Sequence, residues 1–170
     1  MERNEGVIVV SDAGPVIHLD ELDCLDLFRG FHSVVVPREV WAEVLRNRPG
    51  IILSAIPNGV VNDAPVDCSP QLAVLSDSLA LDAGERAALR LMEQQADAVF
   101  LTDDAAARLA AESLNLRVHG TLGIIIRSVR VMLRSREEVL GILNSLPRRS
   151  TLYVSAELLG EVIARVSSAE

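Results

Sequence analysis

The chain has 170 residues, of which 49% are hydrophobic, 3% are aromatic and 24% are charged, and its formal net charge is −8. This composition predicts one domain with its own core and excludes general disorder, and no apolar run reaches the roughly 20 residues of a membrane helix. The first residues, MERNEG, lack the apolar segment of a signal peptide, so we expect a cytoplasmic protein. Cys24 and Cys68 are expected to be buried thiols, without the spacing of zinc ligands.

Charge is distributed unevenly along the chain. All the basic side chains are arginines, because the sequence contains no lysine. Arginines dominate the stretch 117–149, where only Glu137 and Glu138 oppose them, and the rest of the chain is acidic. We therefore expect one basic segment on an acidic body, which argues against a general nucleic-acid coat protein.

Short β-branched runs alternate with helical patterns along the whole chain. The predicted strands, in chain order, are 6–11, 33–36, 51–55, an edge strand around Val60, 98–102 and 116–118. The predicted helices are one that opens at Pro15, then 21–28, 38–46, 71–78, 85–95, 105–114, 121–133, 136–146 and 155–167. Strands that alternate with helices predict an α/β fold with a parallel sheet covered on both faces. We expect a single domain over residues 1–170, with a core at about 6–134 and C-terminal helices at about 136–168.

Acidic residues occur where this topology would gather them. Asp12 directly follows the first strand, and Asp103 and Asp104 follow a later one. Glu43 lies two turns into a helix, and Glu85 lies in the first turn of another. In an open parallel sheet, functional groups collect beyond the carboxyl ends of the strands, so these side chains are predicted to share one edge.

Each of these residues also has a purely structural interpretation. Any of the aspartates could cap the helix that follows it, and Glu85 could favour the positive end of its helix dipole. Glu43 could pair with Arg46 on its own helix. The joint pattern, in which strand-end aspartates and helical glutamates face one edge, favours a functional site over four separate caps.

Carboxylates that converge repel one another and tend to hold protons, and a divalent cation removes this conflict. All-oxygen ligands favour hard ions such as Mg²⁺ or Mn²⁺ over zinc. Such ions meet substrate phosphates and activate water, so the predicted chemistry is metal-dependent phosphodiester hydrolysis. The histidines His18, His32 and His119 fall in unrelated contexts, and the sequence has no G-x-S-x-G elbow, Walker loop or G-x-G-x-x-G fingerprint.

At these residues the sequence resembles the PIN-domain ribonucleases, the family that includes VapC-type toxins. The matching stretches are VIVVSDAGPVIHL, VVVPREVWAEV, LDAGERAALRL and VFLTDDAAARLAAESLNLRVHGTLG, which together span roughly residues 7–123. The likeness is to a prokaryotic branch of predicted nucleic-acid-binding proteins. It implies a three-layer α/β/α sandwich with a central parallel sheet, and cleavage of RNA with Mg²⁺ or Mn²⁺.

The resemblance also implies roles for individual residues. Asp12 matches the family's aspartate after the first strand, Glu43 the glutamate in the helix after the second strand, and Asp103 the aspartate after the threonine of the fourth strand. Glu85 falls where most members carry an aspartate at the start of a helix. Together these four side chains would hold the ion or ions, and a metal-bound water would attack phosphorus.

Alternatives stay open beside these four positions. The longer side chain of Glu85 departs from the family pattern, and Asp82 is its rival for the same role. Asp104 could be a further metal ligand or a helix cap. Thr102 could orient the site through its hydroxyl group, whereas Gly120 and its neighbours resemble a structural turn of this branch.

Arg127, Arg130 and Arg134 recur at the spacing of one helix side, so they either hold an RNA phosphate backbone or line the solvated face of a helix. Aromatic residues are few, so a base-stacking platform is not expected. The apolar helix 121–133 is either a core helix or, as the resemblance implies, a homodimer surface. By analogy with the toxins, a small antitoxin protein could block the acidic site.

Two functions therefore compete. The first is a metal-dependent endoribonuclease that acts on RNA. The second is a nuclease-like module that binds RNA or a partner protein without cutting, which Glu85 in place of aspartate, the acidic net charge and the scarcity of aromatic residues would explain. A DNA nuclease of flap-endonuclease type is a weaker alternative, because the chain lacks the long insertions and basic arch of such enzymes.

Overall fold

The computed structural model describes residues 6–95 and 97–168. A five-stranded, all-parallel sheet forms its centre, in the order β3-β2-β1-β4-β5. The strands are β1 (Ile8–Ser11), β2 (Ser33–Pro37), β3 (Gly59–Asn62), β4 (Val99–Leu101) and β5 (Arg117–His119). The inner strands are runs of β-branched and aromatic residues, which suits strands that are buried on both faces.

Eight α-helices connect and cover these strands. They are α1 (Ala13–Glu21), α2 (Arg38–Asn47), α3 (Pro70–Ser78), α4 (Ala83–Gln94), α5 (Ala105–Ser113), α6 (Thr121–Arg130), α7 (Arg136–Arg149) and α8 (Ala156–Ser168), and they are the α-helices of the described residues. The arrangement confirms the predicted three-layer α/β/α sandwich. No helix in the described part of the chain combines the length and apolar character needed to cross a membrane.

The register between β1 and β4 places the carboxyl ends of these two strands side by side. Ser11 is opposite Leu101, and the Asp12 N–H continues the ladder by donating to the Leu101 carbonyl at 2.8 Å. The next residue on each strand, Asp12 and Thr102, therefore lies at the same edge. This edge is the carboxyl end of every strand, because the whole sheet is parallel.

Two predicted elements in the first part of the chain are wrong. Residues 51–55 form no strand; a short 3₁₀ turn, Leu53–Ala55, occupies this stretch, and the edge strand predicted around Val60 is present as β3, which pairs with β2. The apolar residues there serve the core from a turn, since Ile51 is buried. In place of the predicted helix 21–28, α1 continues to Glu21 and a short 3₁₀ helix covers Leu25–Gly30, separated from α1 by Asp23 with a left-handed φ of 54°.

Helix boundaries differ from expectation by two or three residues at the starts of α1 and α4 and at the ends of α6 and α7. α1 begins at Ala13 rather than at Pro15, because the Asp12 side chain already caps the helix. α6 ends at Arg130 rather than at 133, where Met132 adopts a φ of 58°.

The apolar helix α6 and the last helix both contribute to the core. Ile124 and Ile125 are buried, which agrees with the core interpretation of α6, while the homodimer surface stays a prediction. Leu159 and Val166 of α8 are also buried. Both cysteines are free thiols; Cys24 is buried as expected, and Cys68 is only half-buried.

Candidate active site

Asp12 lies at the centre of the carboxyl edge and is only 5% exposed. Its Oδ1 accepts a hydrogen bond from the Ala13 N–H, and its Oδ2 accepts one from the Thr102 hydroxyl, both at 2.9 Å. Burial nevertheless raises the pKa of Asp12 to about 6, and repulsion from Glu43 and Asp82 adds to the rise. The carboxyl group is therefore fixed in position but costly to ionise where it stands.

The first turn of α4 brings two more carboxyl groups to this edge through a capping box. Asp82 Oδ1 accepts from the Glu85 N–H, and Glu85 Oε2 accepts from the Asp82 N–H, both at 2.8 Å. Burial raises the pKa of Glu85 to about 7, and repulsion from neighbouring aspartates, Asp104 first among them, raises it further. Asp82 and Glu85, the two candidates for the same metal-ligand role, therefore both lie at this edge and are hydrogen-bonded to each other.

Glu43 reaches the same place from α2. A Cβ atom added at Gly84, in the first turn of α4, would lie 3.2 Å from Glu43 Oε2, so the missing side chain makes room for the carboxylate. Burial raises the pKa of Glu43, Asp82 raises it further, and Arg46 partly offsets this. Glu43 is therefore a fourth carboxyl group at this edge, and repulsion couples it to Asp12 and Asp82.

Asp103 is held differently from these four carboxyl groups. Its Oδ1 accepts from the Thr121 N–H at 2.7 Å, and its Oδ2 accepts from the Thr121 hydroxyl at 2.5 Å and lies 2.8 Å from His18 Nδ1. Although burial raises the pKa of Asp103, the hydrogen bonds from His18 and Thr121 outweigh it, and the pKa is lowered. Three donors already satisfy this carboxylate, which leaves it less free to bind a cation than Asp12.

His18 and Thr121 are the partners that sequence reasoning missed. In the sequence, the signal for His18 is its position one helical turn after Gly14. In the structure, a Cβ atom at Gly14 would lie 3.4 Å from Asp103 Oδ2 and 3.5 Å from His18 Cε1, so the glycine leaves room for both side chains. The signal for Thr121 is its place just beyond the carboxyl end of β5. Both side chains belong to the edge that the topology predicts.

Asp104 and Thr102 connect the site to α5. Asp104 Oδ1 caps the helix by accepting from the Ala107 N–H at 2.8 Å, and the Asp104 N–H donates to Thr102 Oγ1 at 3.1 Å. Thr102 is fully buried, and its hydroxyl joins Asp104 to Asp12. Asp104 is therefore a helix cap, and its exposed carboxylate also lines the site.

All the predicted acidic residues line one open cleft with a volume of about 450 Å³. Its lining consists of Asp12, Ala13, Gly14, His18, Glu43, Asp82, Glu85, Asp103, Asp104, Leu152 and Tyr153. Within residues 6–95 and 97–168, no three His, Cys, Asp or Glu side chains converge closely enough to form a metal site as they stand.

The donor set fits a hard divalent cation in its chemistry. Every candidate ligand is a carboxylate oxygen, the type that Mg²⁺ and Mn²⁺ prefer. Asp12, Glu43 and Glu85 all have raised pKa values. A dication would lower the cost of ionising these three groups together.

The three arginines predicted to form one row do not lie on one helix. α6 ends at Arg130, so Arg134 lies beyond it, where it binds both carboxylate oxygens of Asp26 at 2.8 and 2.7 Å. Arg127 donates to the Gly30 carbonyl at 2.9 Å, at the end of the 3₁₀ helix Leu25–Gly30, and its guanidinium carbon lies 4.7 Å from the centroid of the Phe31 ring. Arg130 is exposed, and none of the three lines the acidic cleft.

Comparison with known families gives one match. A family model described as a PIN domain matches residues 8–168 of the chain. Neither the curated proteins nor the solved structures give a match. The matched region extends through α7 and α8, beyond the stretch that carries the recognisable sequence motifs.

Proposed function

Because the chain belongs to the PIN-domain family, which is a family of nuclease type, we propose that it is a divalent-cation-dependent endoribonuclease of the PIN toxin type. The observation that carries the proposal is the cleft at the carboxyl edge. Asp12, Glu43, Glu85 and Asp103 reach this cleft from four separate parts of the chain. Clustered carboxylates beside an open surface are suited to hydrolysis of a phosphodiester with the help of a cation.

The cation, Mg²⁺ or Mn²⁺, would be held by the carboxylates whose pKa values are raised, Asp12, Glu43 and Glu85. Asp82 and Asp104 offer further oxygen atoms at the rim of the cleft. When bound, such an ion neutralises charge on a phosphoryl oxygen and acidifies a water molecule.

The chain's own side chains prepare this site in two ways. The Thr102 hydroxyl fixes the orientation of Asp12, which needs no rearrangement to face the cleft. Asp103 accepts a hydrogen bond from His18 Nδ1, which orients the ring and selects the tautomer that carries a proton on Nδ1. Nε2 of His18 would then be able to hold a proton released in the cleft.

Cleavage of RNA by the Asp12→Asn variant tests the proposal. With Mn²⁺ or Mg²⁺, the wild type should cut a single-stranded RNA internally, and EDTA should stop the reaction. Asp12→Asn should lose at least about 100-fold in rate, because even the loss of a group behind a metal ligand costs about 10- to 100-fold.

The matched control is Asp67→Asn, which makes the same chemical change at an exposed position outside the cleft. It should cleave at the wild-type rate, and all three proteins should give the same circular dichroism spectrum. Equal cleavage by the wild type and a folded Asp12→Asn variant would refute the assignment of the cleft.

A second candidate function is a PIN-like module that binds RNA or a protein without cutting. Glu85 favours it, because its carboxylate is engaged in the capping box of α4. This candidate predicts that the wild type binds single-stranded RNA but releases no fragments with either metal ion. The same cleavage assay, run beside a binding assay, separates the two functions.

The proposed partners follow from the same function. RNA is the proposed substrate, and a small antitoxin protein that covers the acidic cleft would need basic side chains to do so. We also propose a homodimer and a cytoplasmic location for the enzyme.

A further inference from the structure

A second groove adjoins the acidic cleft. It has a volume of about 460 Å³ and lies between the end of β5, the start of α6 and the segment 151–155 that joins α7 to α8. Asp103, Leu152 and Tyr153 line both depressions. An extended ligand that crosses the acidic cleft towards Tyr153 would therefore pass directly into the groove.

Tyr153 is the sole tyrosine of the protein and stands at the boundary between the two depressions with 89% of its surface exposed. The segment that carries it is fixed to the body of the protein. Glu21, at the end of α1, accepts hydrogen bonds from the Ser150 hydroxyl at 2.8 Å, the Thr151 N–H at 2.7 Å and the Thr151 hydroxyl at 2.9 Å. The aromatic ring is thus presented from an anchored backbone, which reduces the entropy lost when a flat ligand binds.

Arg108 gives the groove a positive charge. It lies one turn into α5, and its guanidinium donates to the Thr102 carbonyl at 3.3 Å. Among the described residues, Arg108 forms no salt bridge with a carboxylate. The Arg108 guanidinium therefore lies next to a cleft whose charged lining is acidic. There it can bind an anionic group that the acidic cleft alone would repel.

We propose that this groove binds the nucleotide next to the scissile phosphate of a single-stranded RNA, with the base stacked on Tyr153 and a flanking phosphate on Arg108. The inference rests on the endoribonuclease function proposed above and adds a substrate-binding site to it. Leu122 and Leu158 supply apolar surface for the base. A flat base beside a phosphate matches an aromatic ring beside a guanidinium, the combination by which single strands are commonly bound.

Binding of a fluorescently labelled single-stranded RNA, followed by anisotropy, tests the groove. The measurement uses the full chain in an Asp12→Asn background, so that the RNA stays intact. Tyr153→Ala should weaken binding by about 5- to 150-fold, the range expected for the loss of one stacked base. Tyr153→Phe should stay within about twofold of the parent, because it keeps the ring.

Arg108→Gln should weaken binding and reduce the slope of log affinity against log salt by about 0.7, the change expected for one lost contact to a single strand. Arg165→Gln is the matched control, since Arg165 is exposed and lines neither depression; it should leave the affinity and the slope unchanged. A duplex RNA of the same sequence should bind more weakly, because its bases are already stacked and paired.

The outcomes separate this inference from the function on which it rests. If the wild type cleaves RNA but Tyr153→Ala keeps the parental affinity and the wild-type KM, the groove proposal is overturned and the endoribonuclease stands. If the wild type does not cleave but Tyr153→Ala weakens binding and Tyr153→Phe restores it, the groove stands and the nuclease proposal falls. Absence of RNA binding by the parent, or equal binding of single-stranded and duplex RNA, overturns the groove.

Discussion

At the scale of single residues, Asp12 and Asp103 show how far sequence position and electrostatic environment can diverge. Both lie just beyond the end of a parallel strand, and the topology predicts that both reach one edge. Burial raises the pKa of Asp12 to about 6, whereas hydrogen bonds from His18 and Thr121 lower the pKa of Asp103 against the effect of burial. This difference could not be predicted, because those donors come from α1 and α6, distant in the sequence.

The raised pKa of Asp12 predicts a response of the cation-free protein to pH. The folded state holds this proton more tightly than the unfolded state, so Asp12 contributes stability that is complete below pH 3.8 and is lost as the pH rises through about 6. At about 1.4 kcal/mol for each pKa unit, the loss is at most about 3 kcal/mol. In EDTA, the free energy of unfolding of the wild type, minus that of Asp12→Asn, should therefore fall as the pH rises through this window.

The comparison of two proteins is needed because other carboxyl groups act as well. Glu85, with its pKa raised to about 7, acts in the same direction as Asp12, whereas Glu21 and Asp103, whose pKa values are lowered, act in the opposite direction. Urea unfolding at several pH values measures the difference, with Asp67→Asn as the control that should keep the wild-type profile. A difference that stays constant with pH would contradict the buried environment assigned to Asp12.

At the scale of elements, periodicity predicts the alternation of strands and helices but not the identity of every short run. Residues 51–55 are apolar enough for a strand, yet they follow Pro49 and Gly50 and turn back on themselves, as the Ala55 N–H bond to the Ile52 carbonyl shows. The start of α5 was predicted correctly, with Asp104 as its cap, whereas α4 begins two residues before the predicted start because Asp82 caps it. Caps depend on neighbouring residues, whereas a strand depends on a distant partner.

The turn from β5 into α6 offers a prediction at this scale. A Cβ atom at Gly120 would lie 2.7 Å from Asp103 Oδ1 and 3.2 Å from an Arg108 nitrogen, so Gly120→Ala must displace the carboxylate. We expect a loss of about 1–3 kcal/mol in the free energy of unfolding, typical of overpacking, together with slower RNA cleavage. Chemical unfolding and the cleavage assay measure the two effects.

Gly123, three residues later, provides the control. A Cβ atom there would lie 3.6 Å from the nearest atom, in ordinary contact with His119, and alanine favours a helix over glycine by about 0.5–1 kcal/mol. Gly123→Ala should therefore leave the protein as stable as the wild type or slightly more stable. If both variants behave alike, the close approach of the Gly120 backbone to Asp103 is not what requires a glycine at this turn.

At the scale of the whole molecule, the parallel sheet explains why the acidic residues could be predicted and the arginines could not. Every strand ends at one edge, so residues that follow strands are gathered there by topology alone. The contacts of Arg127 and Arg134 depend instead on the 3₁₀ helix Leu25–Gly30, whose position differs from that of the helix predicted at 21–28. The role proposed for Tyr153 could not be predicted from the sequence either, because it depends on where Glu21 anchors the segment between α7 and α8.

Folding gathers six carboxyl groups into one cleft, which we propose binds a hard divalent cation, and calorimetric titration of the protein with Mn²⁺ measures this binding. We predict saturable binding to the wild type near neutral pH, weaker binding as protons compete below the raised pKa values of Glu85 and Asp12, and at least about tenfold weaker binding to Asp12→Asn. Asp67→Asn should match the wild type. Absence of saturable Mn²⁺ binding to the wild type, or equal Mn²⁺ affinity in a folded Asp12→Asn variant, would refute the proposed metal site.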